Sequence, residues 1–153
     1  MMRRVTRKAS AAGCALGAML WAGGALASPV QDTMGAFGLL GVWADSCAGP
    51  AAGNNEYATY SASPDGTVKL VYSNAPGEPG NTYRWEDAEI LGPHFMWVKG
   101  VFLGDGLEQY SIVERQGDRL RVWSNIDSSG RVLVERGAFP GGGAPAWSEK
   151  CGG

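Results

Sequence analysis

Histidine is almost missing from this chain: His94 stands alone among 153 residues. A metal centre built on histidines is thereby excluded, and a serine–histidine–acid triad has one possible base. No Gly-x-Ser-x-Gly elbow accompanies it, and the serines cluster in turns. His94 follows Gly92-Pro93, so it reads as a strand-start or loop residue. Cysteine is scarce too, at three. There is no Cys-x-x-Cys pair, which removes the usual redox motif and the ligands of a structural zinc site. Gly104-Asp105-Gly106 lacks the remaining ligands of a calcium loop. Gly141 to Gly143 has no helix pattern after it, so no phosphate loop is indicated. No catalytic set, metal or cofactor is expected.

Long apolar runs are also lacking, with one exception at the start. Arg3, Arg4, Arg7 and Lys8 form a basic region, and Ala11 to Leu26 follows without charge. Ala25-Leu26-Ala27 is a small-x-small site, so residues 1–27 read as an export signal cut before Ser28. The run is shorter than the roughly 18 to 20 residues of a spanning helix, and four glycines thin it. Cys14 sits at its beginning rather than its end, so it is expected to leave with the signal. Residues 28–153 then form a single domain, periplasmic or secreted from a bacterium. Four of the 13 basic residues lie in the signal, which leaves 9 against 15 acids and a net charge of −6. That balance opposes a nucleic-acid partner or an anionic membrane surface.

What the chain does have is turns. Twenty of its 24 glycines follow Ala27. Short alternating runs lie between them: Phe37 to Trp43, Tyr57 to Ala62, Thr67 to Ser73, Tyr83 to Leu91, His94 to Leu103, Leu107 to Arg115, Arg119 to Asn125 and Arg131 to Arg136. Ser63-Pro64-Asp65-Gly66 and Gly104-Asp105-Gly106 punctuate them as turns. About eight strands at roughly 8 to 12 residue spacing indicate an all-β protein. Sequential hairpins favour an antiparallel up-and-down barrel over a Greek-key sandwich. No segment shows a clear helical period, and Ser28 to Gly38 reads as a lead-in.

Five tryptophans remain after Ala27. Alternation puts Tyr83 and Trp85 on one face, Phe95, Trp97 and Val101 on another, and Tyr110 and Ile112 on a third. Their first reading is core packing. Their second is an open pocket for an apolar ligand lined by Tyr83, Trp85, Trp97 and Tyr110. Trp123 falls outward beside Arg119 and Arg121, where its first reading is a cation over the ring and its second a contact for a partner. Asp87 and Glu89 share a face and resemble a sugar-cleaving pair of acids. The competing reading is a bulge that leaves both acids in water.

Cys47 and Cys151 bracket most of the exported chain and are expected to form a disulfide. It closes a loop of about 100 residues, for which the chain-entropy model gives roughly 4 to 5 kcal/mol. Their positions suit a barrel in which the first and last strands are neighbours.

Gly41-Val-Trp43 resembles the Gly-x-Trp signature of lipocalin-like barrels. That resemblance implies a Trp43 that plugs one barrel end beneath an arginine, a role open to Arg131 or Arg136. The wider pattern includes Cys47, Ser63-Pro-Asp-Gly66 and Pro145-Ala-Trp-Ser-Glu-Lys-Cys151. It is similar to a group of small exported proteobacterial proteins to which no activity is attached. A more distant resemblance is to bacterial metalloprotease inhibitors with an avidin-like barrel. It implies that Ser28 to Gly38 would enter a protease cleft. The expected function is non-catalytic binding of a small apolar ligand or a protein partner, with periplasmic protease inhibition as the alternative.

Overall fold

The computed structural model describes residues 29–152; the expected export signal and Cys14 lie outside them. The elements are α1 (Pro29–Ala36), β1 (Gly41–Ala44), β2 (Tyr57–Ala62), β3 (Val68–Ser73), β4 (Thr82–Ile90), β5 (Phe95–Phe102), β6 (Glu108–Gln116), β7 (Arg119–Asp127), β8 (Val132–Val134) and β9 (Ser148–Cys151). Strands β1 to β7 each pair antiparallel with the next. β9 then lies between β7 and β1 and closes an eight-stranded barrel. The up-and-down barrel expected from hairpin spacing is the fold. Cys47 and Cys151 are bonded, with their Cα atoms 5.4 Å apart.

Two elements depart from the sequence reading. The last barrel strand is β9, not the run Arg131 to Arg136. β8 is instead a ninth, outlying strand held on the far end of β7. Only a four-residue strand is needed to finish the cylinder, and such a strand is too short to show alternation. The second departure is α1, in the segment read as a patternless lead-in. Val30, Met34 and Phe37 follow helical spacing and are buried, as is Leu39 just beyond. They join the barrel core. Gln31 Nε2 donates to Ser63 O at 2.8 Å and Thr67 O at 2.9 Å, which fastens the helix to the β2–β3 turn. An eight-residue helix carries too few residues for its period to stand out.

Trp43 is fully buried, and its Nε1 donates to Leu39 O at 2.8 Å. A cation does lie over this ring, but it is Lys150 of β9, 5.3 Å from the ring centre. Its Nζ also donates to Gly38 O. Arg131 instead bonds Asp127, and Arg136 is exposed in the turn after β8. The cation over Trp43 is thus a lysine of the closing strand rather than Arg131 or Arg136.

Two bulges set which side chains face inward. One falls between Trp85 and Asp87. It sends Asp87 and Glu89 outward into solvent, opposite Lys99 and Trp97. The other leaves Trp123 as the extra residue between Val122 and Ser124. Along β5 the inward residues are Met96, Val98 and Gly100; along β6 they are Gln109, Ser111 and Val113. Trp97 and Tyr110 therefore sit on the outer face, contrary to the expected inward placement. The aromatic-rich alternation of these strands is real but has the opposite phase. Gly100 explains part of this choice: the ring of Trp85 lies across it from the paired strand, where a Cβ would collide with Trp85 and the Arg84 carbonyl.

Candidate binding pocket

The seam between β7 and β9 is short. It consists of two register pairs, Arg119 with Glu149 and Leu120 with Ser148. Beyond Leu120, β7 turns its other residues toward β8, and the chain from Phe139 to Ala146 passes over the gap. A cavity of about 260 Å³ lies there. Its inner wall is Trp43, Ala58, Tyr60 and Tyr72 on one side and Val113, Leu120 and Val122 on the other. Val134, Phe139, Pro145 and Ala146 cover it, and Asp45 and Glu56 stand at its rim.

Local sequence explains the rim. Asp45 and Glu56 bound the turn-rich segment Ser46 to Asn55, which joins β1 to β2. Asn55 is buried and organises that segment. Its Nδ2 donates to Ser46 O and Pro50 O, both at 3.0 Å, and its Oδ1 accepts from Ser46 N at 2.8 Å. Tyr57 OH donates to Gly49 O at 2.6 Å. Cys47 ties the same segment to β9 through the disulfide, and its N–H donates to Glu149 Oε1. The two rim acids are thus carried on a loop fixed from both sides.

The electrostatics of the pocket are uneven. Burial, and then the negative charge of Asp45, push the Glu56 carboxyl above its ordinary value. Burial drives the Tyr60 phenol up, opposed by its hydrogen bond with Tyr72. Tyr72 rises as well, by burial first and then by its neighbour Tyr60. Both phenols stay neutral at any physiological pH. Arg121 is the cation in the lining, and its charge is already matched. Its Nη2 lies 2.7 Å from Glu114 Oε2, and its guanidinium sits between Trp147 at 4.5 Å and Trp123 at 5.2 Å. Trp123 beside an arginine is thus a covered cation, as its sequence position indicates. The same stack pins Trp147, and with it the tail, to the barrel wall.

Of the four aromatic residues expected to line a pocket, none lines this one. Trp85 is buried and stacks on Tyr83 at 5.6 Å. Tyr83 leans on Phe102 at 4.9 Å and meets Tyr72 edge-on. These rings fill the barrel beside the cavity. Outside, Tyr110 OH donates to Glu108 Oε2 and lies under Lys99. The pocket residues Tyr60 and Tyr72 had a visible signal, since each continues an inward alternation, with Ala58 and with Val68 and Leu70. Asp45 and Glu56 had none, because their meeting depends on how a loop folds back.

Deeper in the barrel, Trp85 Nε1, Gln109 Oε1 and Asn125 Oδ1 are buried without a hydrogen-bond partner in the protein. They belong to one inward-facing zone. Trp85 is opposite Gly100, Gly100 opposite Gln109, and Ser111 opposite Asn125. Among the described residues no group of histidine, cysteine or acids is placed to hold a metal. His94 is exposed, with Nδ1 3.1 Å from Arg115 O. Among the described residues no helix is long and apolar enough to cross a membrane.

Comparison with protein-family models, curated proteins and solved structures finds no match.

Proposed function

We propose that this chain is an exported, non-catalytic β-barrel that binds a small apolar ligand in the cavity between β1–β2, β7 and the tail. The observation that supports this reading is the lining. Val113, Leu120, Val122, Val134 and Phe139 face Trp43, Tyr60 and Tyr72 across about 260 Å³. A dry, apolar cavity of about 150 Å³ already holds benzene, so this one is large enough for a ring with a short substituent. The disulfide supports an exported setting, periplasmic or secreted.

The direct test is a titration with phenethyl alcohol, followed by calorimetry and by the melting temperature. Saturable binding is expected, lost when Ala58→Trp fills the cavity. No binding of phenethyl alcohol, or of its amine and carboxylate analogues, up to millimolar concentration sinks the ligand reading. A protein partner is then favoured, and the surface to examine is the β4–β5 turn. There Ile90 and Leu91 are 43% and 51% exposed. Protease inhibition through Ser28 to Gly38 would require α1 to leave its site, because Val30 and Met34 are buried in the core.

A further inference from the structure

The charge pattern of the pocket narrows the ligand class, and this step rests on the binding reading above. Asp45 and Glu56 both line the rim. Among the described residues neither is in a salt bridge. The lining cation, Arg121, is matched by Glu114 and held between two tryptophan rings. The mouth therefore carries two carboxylates without a counter-charge, above walls that are aromatic and aliphatic. An anionic ligand meets repulsion at the mouth. A neutral one gains only apolar contact. A ligand with one cationic end satisfies both parts of the site. Its charge pairs with the carboxylates, and its apolar body meets the aliphatic and aromatic walls.

We propose that the pocket selects a small hydrophobic amine, protonated, with its ammonium group at Asp45 and Glu56 and its apolar body against Val113, Leu120 and Val122. Burial, and then the negative charge of Asp45, raise the Glu56 carboxyl, and a cation bound between the two acids offsets the second of these effects. Size supports a compact body. The cavity is below the roughly 300 to 1,000 Å³ of common drug-sized sites.

Three probes of nearly equal shape separate the contributions: phenethylamine, phenethyl alcohol and hydrocinnamate. Calorimetry at low salt is expected to show the amine binding at least about tenfold more tightly than the alcohol. Hydrocinnamate is expected to be the weakest. Added sodium chloride is expected to weaken the amine and leave the alcohol nearly unchanged. In an Asp45→Asn, Glu56→Gln double variant, the amine-to-alcohol affinity ratio is expected to fall close to one. Its melting curve serves as the check on folding, and the salt response of the parent protein gives the same answer without mutation. Equal binding of amine and alcohol overturns the amine proposal and leaves the apolar-ligand reading standing. A double variant that folds and keeps the full ratio also overturns it. Binding of none of the three probes overturns the underlying reading.

Discussion

Asp127 shows how one side chain can hold a turn. It is buried at the end of β7, and its Oδ1 accepts from the backbone N–H groups of Ser129 and Arg131, each at 3.0 Å. The Ser129 hydroxyl donates to the same oxygen, and Arg131 Nε donates to Oδ2 at 2.9 Å. The Ser129 hydroxyl first, then these N–H groups and the Arg131 charge, hold the carboxyl below its ordinary range against the opposing effect of burial. A depressed folded-state pKa stabilises the protein above the unfolded pKa. That contribution disappears as pH falls through the folded value. Asp127→Asn is therefore expected to melt lower than the parent at pH 7. It is also expected to lose less of its melting temperature between about pH 5 and pH 2. Parallel acid profiles for the two proteins would show that this carboxylate is not what the β7–β8 turn depends on. The turn itself is legible in the sequence, from the turn residues of Asp127-Ser-Ser-Gly130. The ionic grip of Arg131 was not, because an exposed arginine reads the same whether or not it is engaged.

At the scale of elements, β5 turns on one glycine. Gly100 faces inward between Trp85 on β4 and Gln109 on β6. A methyl group there would meet Trp85 Cε3 at 2.7 Å as well as the Arg84 carbonyl. Both neighbours are part of a packed sheet and have little room to move. Gly100→Ala is expected to lower stability by about 1 to 3 kcal/mol, the usual cost of overpacking. Gly53→Ala in the β1–β2 loop is the control. A Cβ there meets nothing within 4 Å, and a change within about 0.5 kcal/mol is expected. Urea denaturation of both variants makes the comparison, and a neutral Gly100→Ala would mean that the Arg84 carbonyl and the Trp85 ring both shift at little cost. The alternation of β2 and β3 could be read directly, since Ala58 and Tyr60, and Val68, Leu70 and Tyr72, keep one phase. That of β5 and β6 misled, because their inward residues include Gly100, Gln109 and Ser111 while Trp97 and Tyr110 take the outer face. Periodicity gives the period; the choice of side is made by what the opposite strands present.

For the whole molecule, closure is the weak point and the cross-link answers it. β7 and β9 share two register pairs, while β1 and β9 share three. Arg119 and Arg121 add their contacts to Trp147, at 5.0 and 4.5 Å. The Cys47–Cys151 bond spans 104 positions of sequence across this same region. A Cys47→Ser, Cys151→Ser double variant is expected to lose about 2 to 5 kcal/mol of stability in urea. Because Cys47 also anchors the loop that carries Asp45 and Glu56, affinity for any pocket ligand is expected to fall under conditions where the variant remains folded. A loss under about 1 kcal/mol would mean that the arginine–tryptophan stack holds the seam unaided.

The fold class, most strand boundaries, the cysteine pair and the place of Trp123 were determined by the sequence itself. Each depends on local rules: alternation, turn residues, and the small number of partners a cysteine can have. The helix α1, the closing strand β9, the lysine over Trp43 and the pocket with its two acids were decided only by the tertiary structure. These rest on contacts between residues far apart in the chain, such as Lys150 with Gly38 and Trp43. No local pattern encodes them, because what selects each is the space left when eight strands close on one another.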